Sequence, residues 1–190
     1  MKDLVEIRWH ARGGQGAVTA AKFLAETALA GGKHVQAFPE YGPERMGAPI
    51  QAFTRLSAEP IRTYCSVVNP NVVTVLDPTL LDVVDVAQGF LPDSTLIVNT
   101  SDKPSKVREK LKLKSGKVFT VDASIIALEE LGKPIPNTPM LGALIKVTGI
   151  LDLGEVVKHF EEAFEGKFSP KIIEGNIKAI KRAFEEVKGE

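Results

Sequence analysis

The chain begins with a run in which apolar and polar positions alternate, over residues 4–10. Three apolar side chains share one face of the predicted strand: Val5, Ile7 and Trp9. Three polar side chains share the other face: Glu6, Arg8 and His10. A strand buried on both faces of a parallel sheet is apolar throughout. The alternation therefore predicts that the polar face of this strand meets water or a partner protein.

Farther along the chain, three short runs are almost continuously apolar: residues 72–76, 95–98 and 118–121. Such runs are typical of buried parallel strands. Segments with helical periodicity separate and follow them: residues 78–84, 104–112, 124–132, 140–148, 153–164 and 170 onwards. The last helices have aligned apolar positions, and Thr138 and Pro139 suit the N-cap and first position of the 140–148 helix. The alternation of strands and helices predicts a doubly wound sheet.

The first half of the chain predicts an antiparallel part of the same sheet. A helix over residues 16–30 is followed by a short strand over 34–38. Alternating runs at 50–56 and 61–67 flank a turn-forming segment, which is typical of a β-hairpin. We therefore expect a Rossmann-like, doubly wound mixed α/β sheet, mainly parallel, with helices on both faces. No linker-like change in composition occurs, so we expect one domain over residues 1–190.

A glycine-rich turn, Arg12-Gly13-Gly14-Gln15-Gly16, joins the first strand to the first helix. A strand–turn–helix unit points backbone N–H groups at whatever lies before the helix N-terminus. The spacing does not match the dinucleotide-binding Gly-x-Gly-x-x-Gly pattern, and no P-loop lysine follows. Two interpretations stay open. In the first, the turn binds an anion or a partner protein, with Arg12 supplying positive charge and Gln15 supplying hydrogen bonds. In the second, the turn contains glycine only because larger side chains would not fit its backbone conformation.

The segment from residue 39 to residue 49 holds three prolines and two glycines, so we predict a long loop without regular structure. Long loops of this kind are usually functional or form interfaces. The tyrosine and methionine in it favour an interface. The alternative is that its charged residues react or pair with each other. The candidate interface residues are Glu40, Tyr41, Glu44, Arg45, Met46 and Gly47.

Other polar residues follow the predicted parallel strands, at Asp77, 99–101, Asp122 and Ser124. They either cap the next helix or share a pocket with the glycine turn, because ligands bind beyond the carboxyl ends of such strands. The three histidines are scattered, and we expect His159 to be solvated. No nucleophile–base pair and no metal-ligand spacing is visible, so we expect neither a catalytic residue nor a metal site on this chain.

The amino-acid composition argues against several classes of function. Lysine plus arginine and aspartate plus glutamate both number 24, which gives no overall electrostatic attraction for nucleic acid or membrane. The single cysteine, Cys65, cannot build a disulfide framework, a zinc site or an iron–sulfur cluster, and we expect it reduced in a strand. No run approaches about 18 apolar residues, and no signal peptide is visible, so we expect a cytoplasmic protein.

Four segments resemble the gamma subunit of the 2-oxoacid:ferredoxin oxidoreductases, most closely that of the pyruvate enzyme (pyruvate synthase). They are residues 6–10 (EIRWH), 12–17 (RGGQGA), 36–49 (QAFPEYGPERMGAP) and 137–143 (NTPMLGA). The resemblance extends over nearly the whole chain. It implies a complex with alpha, beta and delta subunits that converts a 2-oxoacid and coenzyme A to acyl-CoA, carbon dioxide and reduced ferredoxin.

The resemblance also implies where the cofactors lie. Thiamine diphosphate with Mg²⁺ would be held by the alpha and beta subunits, and [4Fe–4S] clusters by beta and delta, leaving this chain as a supporting subunit. We hypothesise that the turn at Arg12 contacts coenzyme A. Two alternatives remain: a stand-alone nucleotide- or acyl-CoA-binding protein, and a gamma-type subunit for indolepyruvate or 2-oxoglutarate.

Overall fold

The computed structural model describes residues 4–40 and 47–190. Within them, seven strands form one sheet: β1 (Leu4–Arg12), β2 (His34–Glu40), β3 (Pro49–Ser57), β4 (Val72–Val75), β5 (Thr95–Asn99), β6 (Lys117–Val121) and β7 (Lys188–Gly189). The α-helices are α1 (Ala17–Ala30), α2 (Pro104–Leu111), α3 (Ala123–Leu131), α4 (Asn137–Thr148), α5 (Leu153–Phe164) and α6 (Pro170–Glu186). A 3₁₀ turn spans Pro78–Asp82.

The strand order across the sheet is β2-β3-β1-β4-β5-β6-β7. The three apolar runs of the second half form β4, β5 and β6, which lie parallel to one another and to β1. β3 is antiparallel to both β1 and β2, and the short β7 is antiparallel to β6. The predicted mixed, mainly parallel sheet is therefore confirmed.

Two apolar cores lie on the two faces of the sheet. The larger contains side chains of β1 such as Ile7 and Trp9, and packs against α1 and α3 to α6. The smaller contains Val73 and Val75 of β4, and packs against the 3₁₀ turn and α2. Helical elements thus cover both faces, as the periodicity predicted.

The prediction that the polar face of β1 meets water or a partner is wrong. Arg8 and His10 are only 3% and 2% exposed. The segment that follows the 3₁₀ turn lies over this face, and the carbonyls of Val86 and Gln88 accept hydrogen bonds from Nη2 of Arg8 at 3.1 and 2.6 Å. Because these buried groups are paired, a strand with polar side chains can lie at the centre of the sheet.

The predicted hairpin is also wrong, although the antiparallel part of the sheet exists. Residues 61–67 form no strand, and β3 pairs with β1 and β2 instead. Arg55, which is 1% exposed, donates to the carbonyl oxygens of Thr63 and Cys65 at 3.3 and 2.7 Å. This side chain therefore holds the segment in an irregular course. Cys65 is exposed, and not in a strand as expected.

Three smaller expectations need correction. The predicted loop is shorter, because Glu40 still belongs to β2 and Pro49 begins β3, and residues 41–46 lie outside the described part of the chain. α4 begins at Asn137, so Thr138 lies in its first turn and is not its N-cap. His159 is half-buried rather than solvated, with its ring centroid 5.3 Å from that of Phe23.

Among the described residues, no helix combines the length and apolarity needed to cross a membrane.

Candidate functional site

The glycine turn lies at the edge of the sheet where the parallel strands end. β1 and β4 are neighbours, but the chain continues from β1 through α1 to β2 and β3 on one side, and from β4 to β5 and β6 on the other. The strand order therefore reverses between β1 and β4, and open α/β sheets bind ligands outside the carboxyl ends of strands at such a reversal. The turn after β1 and the 3₁₀ turn after β4 both begin here.

Hydrogen bonds fix the backbone of the turn. The amide of Gly13 donates to the carbonyl of Ala48 at 3.0 Å, which joins the turn to the segment before β3. The amide of Gln15 donates to the carbonyl of Arg12 at 3.1 Å, and the side-chain Oε1 of Gln15 accepts from the amide of Arg12 at 2.8 Å. Gln15 thus closes the turn with both its main chain and its side chain.

Gly14 and Gly16 both have positive φ, 99° and 80°, but their surroundings differ. A Cβ on Gly16 would lie 2.6 Å from Nδ2 of Asn137, so α1 and α4 can approach each other only because glycine is present. A Cβ on Gly14 would have no atom within 4 Å among the described residues, and Gly14 is exposed. Positive φ thus favours glycine at both positions, and close packing adds a second reason at Gly16, while the backbone at Gly14 is exposed.

The side chain of Arg12, at the end of β1, connects the segment after β4 with the segment before β3. Its Nε and Nη2 donate to Oγ1 of Thr79 at 3.2 and 2.9 Å, and its Nη1 donates to the carbonyl of Gly47 at 3.1 Å. Its Nε also lies 3.4 Å from Oδ2 of Asp77. The side chain of Arg12 remains 31% exposed, so it is partly accessible to solvent.

Asp77 is the anionic partner in this network. Oδ2 accepts from Nε2 of Gln15 at 2.7 Å, and Oδ1 accepts from the amide and the hydroxyl of Thr79 at 2.9 and 2.6 Å. Burial alone would raise the pKa of Asp77, but the hydrogen bonds from Thr79 and Gln15 and the charge of Arg12 together lower it. Asp77 therefore stays ionised, and its predicted role as a helix cap is confirmed at the 3₁₀ turn.

The N-terminus of α1 completes the site. Gly16 is its N-cap residue, no described side chain caps the helix, and its first turn holds no acidic residue. Uncapped first-turn amides and the helix dipole favour a negatively charged ligand. The arrangement can accept an anion such as a phosphate group. The ionised Asp77 accepts three hydrogen bonds and lies beside Arg12, so it orients the groups of the turn.

The residues after β5 and β6 have other functions. Nδ2 of the buried Asn99 donates to the carbonyl of Leu76 at 2.7 Å and to Oγ of Ser124 at 2.8 Å. Asp122 accepts from the amide of Ile125 at 3.2 Å and caps α3, as predicted. Ser124 lies inside α3 and bonds Asn99, so its interpretation as a cap is wrong. These groups connect β4, β5 and α3, and the hydrogen bonds of Asn99, Asp122 and Ser124 within the described residues do not reach residues 12–16.

The structure places two of the predicted interface residues. Gly47 contacts the site directly through the hydrogen bond from Arg12. Glu40 ends β2, two strands away from β1, and its Oε2 accepts from Oγ of Ser66 at 3.1 Å. The other four, Tyr41, Glu44, Arg45 and Met46, lie outside the described residues.

Sequence reasoning missed Thr79, which holds both Arg12 and Asp77. The available signal was the order Asp77-Pro78-Thr79 directly after an apolar strand, because an aspartate before proline often accepts hydrogen bonds from residues just beyond it. No group of three or more potential metal-ligating side chains occurs among residues 4–40 and 47–190. A single cysteine in the whole sequence cannot supply the thiolates of a [4Fe–4S] cluster.

Comparisons with known proteins agree with this architecture. The sequence model of the family described as "Pyruvate ferredoxin/flavodoxin oxidoreductase" matches residues 6–186. The chain is 50% identical to "Pyruvate synthase subunit PorC" of Thermotoga maritima over 187 residues, which are 98% of this chain and 96% of that protein. It is 51% identical to the "Pyruvate/ketoisovalerate oxidoreductases common subunit gamma" of Pyrococcus abyssi, over 96% of this chain and 97% of that protein.

The fold agrees as well. The crystal structure of the pyruvate oxidoreductase subunit PORC (EC 1.2.7.1) of Thermotoga maritima superposes with a TM-score of 0.88 at 47% identity, and the match covers 100% of this chain and 99% of that one. Both the family match and the relatives extend over almost the full sequence. The chain therefore belongs to the pyruvate ferredoxin/flavodoxin oxidoreductase family.

Proposed function

We propose that this chain is the gamma subunit of a multi-subunit pyruvate:ferredoxin oxidoreductase. The complex would oxidatively decarboxylate pyruvate with coenzyme A to acetyl-CoA, carbon dioxide and reduced ferredoxin. The observation that carries this proposal is the identity of about half of all positions, end to end, with a pyruvate synthase subunit. The elements that build the glycine turn and the neighbouring strand ends all lie within that match.

The reactive groups of the proposed complex would lie on other subunits. We propose alpha and beta chains that hold thiamine diphosphate with Mg²⁺, and beta and delta chains that hold [4Fe–4S] clusters. The single cysteine of this chain and the engaged state of Asp77 support a supporting role rather than a catalytic one. We also propose that the chain forms one domain, since one sheet joins its first and last described strands.

We propose that the turn from Arg12 to Gly16 contacts coenzyme A, and that residues 40–47 contact a partner subunit beside it. Support comes from the open backbone at Gly14, the uncapped start of α1 and the partial exposure of the Arg12 side chain. A pyrophosphate is the chemical group that such a helix N-terminus accepts. Asp77 holds Arg12 in place, so the guanidinium would be oriented before the ligand arrives.

Substrate choice is proposed to lie outside this chain. One of the similar proteins is named a common subunit of pyruvate and ketoisovalerate oxidoreductases, which is a name for one gamma chain serving two substrates. The described residues of the site offer an anion-binding surface and no pocket shaped for a small 2-oxoacid. A gamma-type subunit for indolepyruvate or 2-oxoglutarate would need no different chemistry at this turn.

Affinity purification of the tagged chain from its native cell tests the proposal. We expect recovery together with chains that carry thiamine and iron–sulfur clusters, and pyruvate- and coenzyme A-dependent reduction of methyl viologen by the recovered complex. A chain that is recovered alone and binds nucleotides or acyl-CoA by itself would contradict the proposal and favour the stand-alone alternative. Activity with another 2-oxoacid, and none with pyruvate, would correct the substrate alone.

A further inference from the structure

A groove of about 670 Å³ lies beside the start of α1, on the face of the sheet that carries the larger core. It is lined by residues of α1, α3, α4, α5 and α6 and of the segment that joins α3 to α4. The lining begins at Thr19 and Ala20, in the first turn of α1, and includes Asn137, which lies against Gly16. The groove therefore reaches the helix N-terminus at the glycine turn.

The walls of the groove are largely apolar and aromatic. The lining includes the phenylalanines Phe23, Phe160, Phe164 and Phe168. The ring centroid of Phe164 lies 4.5 Å from that of Phe160 and 5.3 Å from that of Phe168. Phe168 and Ile172, which also lines the groove, remain 47% and 46% exposed. Large apolar side chains left exposed on a concave surface mark a binding site.

The unpaired charge at the groove is positive. Glu129 and Glu130 line it, but both pair with Nη1 of Arg182, at 2.5 and 3.2 Å. Lys133 and Lys171 also line it; both are exposed, and neither forms an ion pair within residues 4–40 and 47–190. A ligand with an aromatic or apolar body and an anionic group matches this combination.

Asn137 marks the border between the glycine turn and the groove. Its Nδ2 would lie 2.6 Å from a Cβ on Gly16, and its Oδ1 accepts from Oγ1 of Thr138 at 3.4 Å. Nδ2 donates to no acceptor in the described part of the chain, although a carboxamide nitrogen carries two donor hydrogens. This donor is therefore available to a polar group that passes from the turn into the groove.

We infer that the groove binds the 3′-phosphoadenosine end of the coenzyme A whose pyrophosphate contacts the glycine turn. The inference rests on the proposed function and names a second part of the same site. The thiol of coenzyme A must reach thiamine diphosphate, which the proposal assigns to other subunits, so the reactive end has to leave this chain. The groove is walled by helices of this chain and suits the end that does not react.

The chemistry of this end matches the groove at both of its features. Adenine is planar and packs favourably against aromatic rings, as the wall at Phe168 offers. The 3′-phosphate is an anion that the ammonium groups of Lys133 and Lys171 attract.

Lysine substitutions in the assembled complex test the inference. Lys133→Gln and Lys171→Gln are combined, because both lysines line the groove and lie outside the glycine turn. The matched control combines Lys114→Gln and Lys181→Gln, which are exposed and lie outside the groove. Pyruvate-dependent reduction of methyl viologen is measured with coenzyme A and with 3′-dephospho-coenzyme A, which lacks only the phosphate assigned to the lysines.

We expect the double variant to raise the KM for coenzyme A about tenfold and to leave the KM for 3′-dephospho-coenzyme A and for pyruvate unchanged. The unsubstituted complex and the control should both show a lower KM for coenzyme A than for the dephospho form, and the double variant should lose this preference. An unchanged KM for coenzyme A in the double variant would overturn the inference. So would an equal rise with both compounds, which a merely structural role of the lysines would produce.

Phe168→Ala tests the aromatic wall and distinguishes coenzyme A from a protein occupant. It should raise the KM for both compounds about threefold, since both contain adenine, while the chain stays in the complex. Loss of the chain from the complex would make the groove a contact for a partner subunit and overturn the inference.

Failure of the inference and failure of the proposed function would look different. Absence of pyruvate-dependent viologen reduction in the unsubstituted complex would contradict the proposed function, and the inference with it. A KM for coenzyme A that rises in Arg12→Ala but in neither groove variant would reject the groove alone.

Discussion

Two arginines four residues apart on β1 show how differently the same side chain is used. Arg8 is buried in the middle of the strand and donates to two carbonyls and to Nε2 of His10, at 3.1 Å in the last case. Arg12 ends the strand, pairs with the carboxylate of Asp77 and remains partly exposed. Burial lowers the pKa of Arg8, against the raising effect of Asp85.

The two arginines differ in function: the charge of Arg8 is used within the fold, whereas the charge of Arg12 is available to a ligand. Arg8 donates two hydrogen bonds to the segment over the sheet and one to His10 on its own strand, so its removal should affect folding and not binding. Arg12 is held in place by Asp77 and Thr79, but its side chain is partly exposed. Its removal should affect binding more than folding. Substitutions along the strand can test this division between the two arginines.

Replacing Arg8 by methionine should destabilise the chain by about 3 kcal/mol, because the buried carbonyl of Val86 and the partly buried carbonyl of Gln88 would lose charge-assisted hydrogen bonds. Denaturant unfolding of the purified chain measures the change. Arg62→Met, at an exposed position, is the control and should stay within about 0.5 kcal/mol. A loss as small as that of the control would show that Arg8 does not hold the covering segment.

His10 should make the protein sensitive to acid. Burial, followed by the charge of Arg8, lowers its pKa to about 3. Because the unfolded chain takes up a proton near pH 6.5 and the folded chain does not, stability should fall by about 1.4 kcal/mol for each pH unit below 6.5, down to about pH 3. Asp77, whose pKa is lowered, adds a loss only as the pH falls below its ordinary value of 3.8.

The substitution His10→Gln separates these two contributions. Glutamine keeps an acceptor for Arg8 but does not titrate, so the variant should show little change in stability between pH 6.5 and pH 4. Unfolding curves recorded across this range measure it. A variant that keeps the full slope would assign the acid sensitivity to other groups.

The interior of β1 also shows where sequence patterns stop being informative. The apolar runs predicted β4, β5 and β6 correctly, because a parallel strand that is covered on both faces is apolar at almost every position. Alternation failed at Arg8 and His10, since it records polarity but cannot detect a segment about 80 residues away that supplies carbonyls. It failed again at 61–67, where the buried Arg55 takes the backbone acceptors that a hairpin partner would have used.

The sequence predicted only part of the candidate site. Its local part, from Arg12 to Gly16, followed from the strand–glycine–helix order. Its distant partners did not, because Thr79 lies 67 residues from Arg12, and nothing in the spacing joins them. Asn137 likewise stood in a segment that marked the family resemblance, but only packing shows that its side chain lies against Gly16.

Gly14 and Gly16, just after the carboxyl end of β1, should also differ in how much they contribute to stability. Gly16→Ala should cost about 2 kcal/mol, from positive φ and from the contact with Asn137, whereas Gly14→Ala should cost about 1 kcal/mol from φ alone. Combining Gly16→Ala with Asn137→Ala should cost less than the sum of the two single changes. Equal losses for the two glycines would mean that α1 and α4 do not need the close approach.

The smallest effect on folding, and the most specific effect on function, is expected for Arg12→Ala. The ion pair with Asp77 is partly exposed, so the loss of stability should be below about 1 kcal/mol. If the guanidinium contacts coenzyme A, the KM for coenzyme A should rise about tenfold in the assembled complex, while the KM for pyruvate stays the same. Steady-state kinetics with viologen as acceptor measure both constants.

Two further variants determine whether Arg12 acts on the ligand or only on the turn. Thr79→Val removes the hydroxyl that accepts from Nε and Nη2 of Arg12 but keeps the charge, so it should raise the KM for coenzyme A less than Arg12→Ala does. Arg12→Lys keeps the charge without the forked geometry and should lie between the two. If Thr79→Val and Arg12→Ala gave the same KM, Arg12 would only hold the strands together. An unchanged coenzyme A requirement in all three would place the ligand elsewhere, and Arg12 would then join Arg8 as a structural arginine.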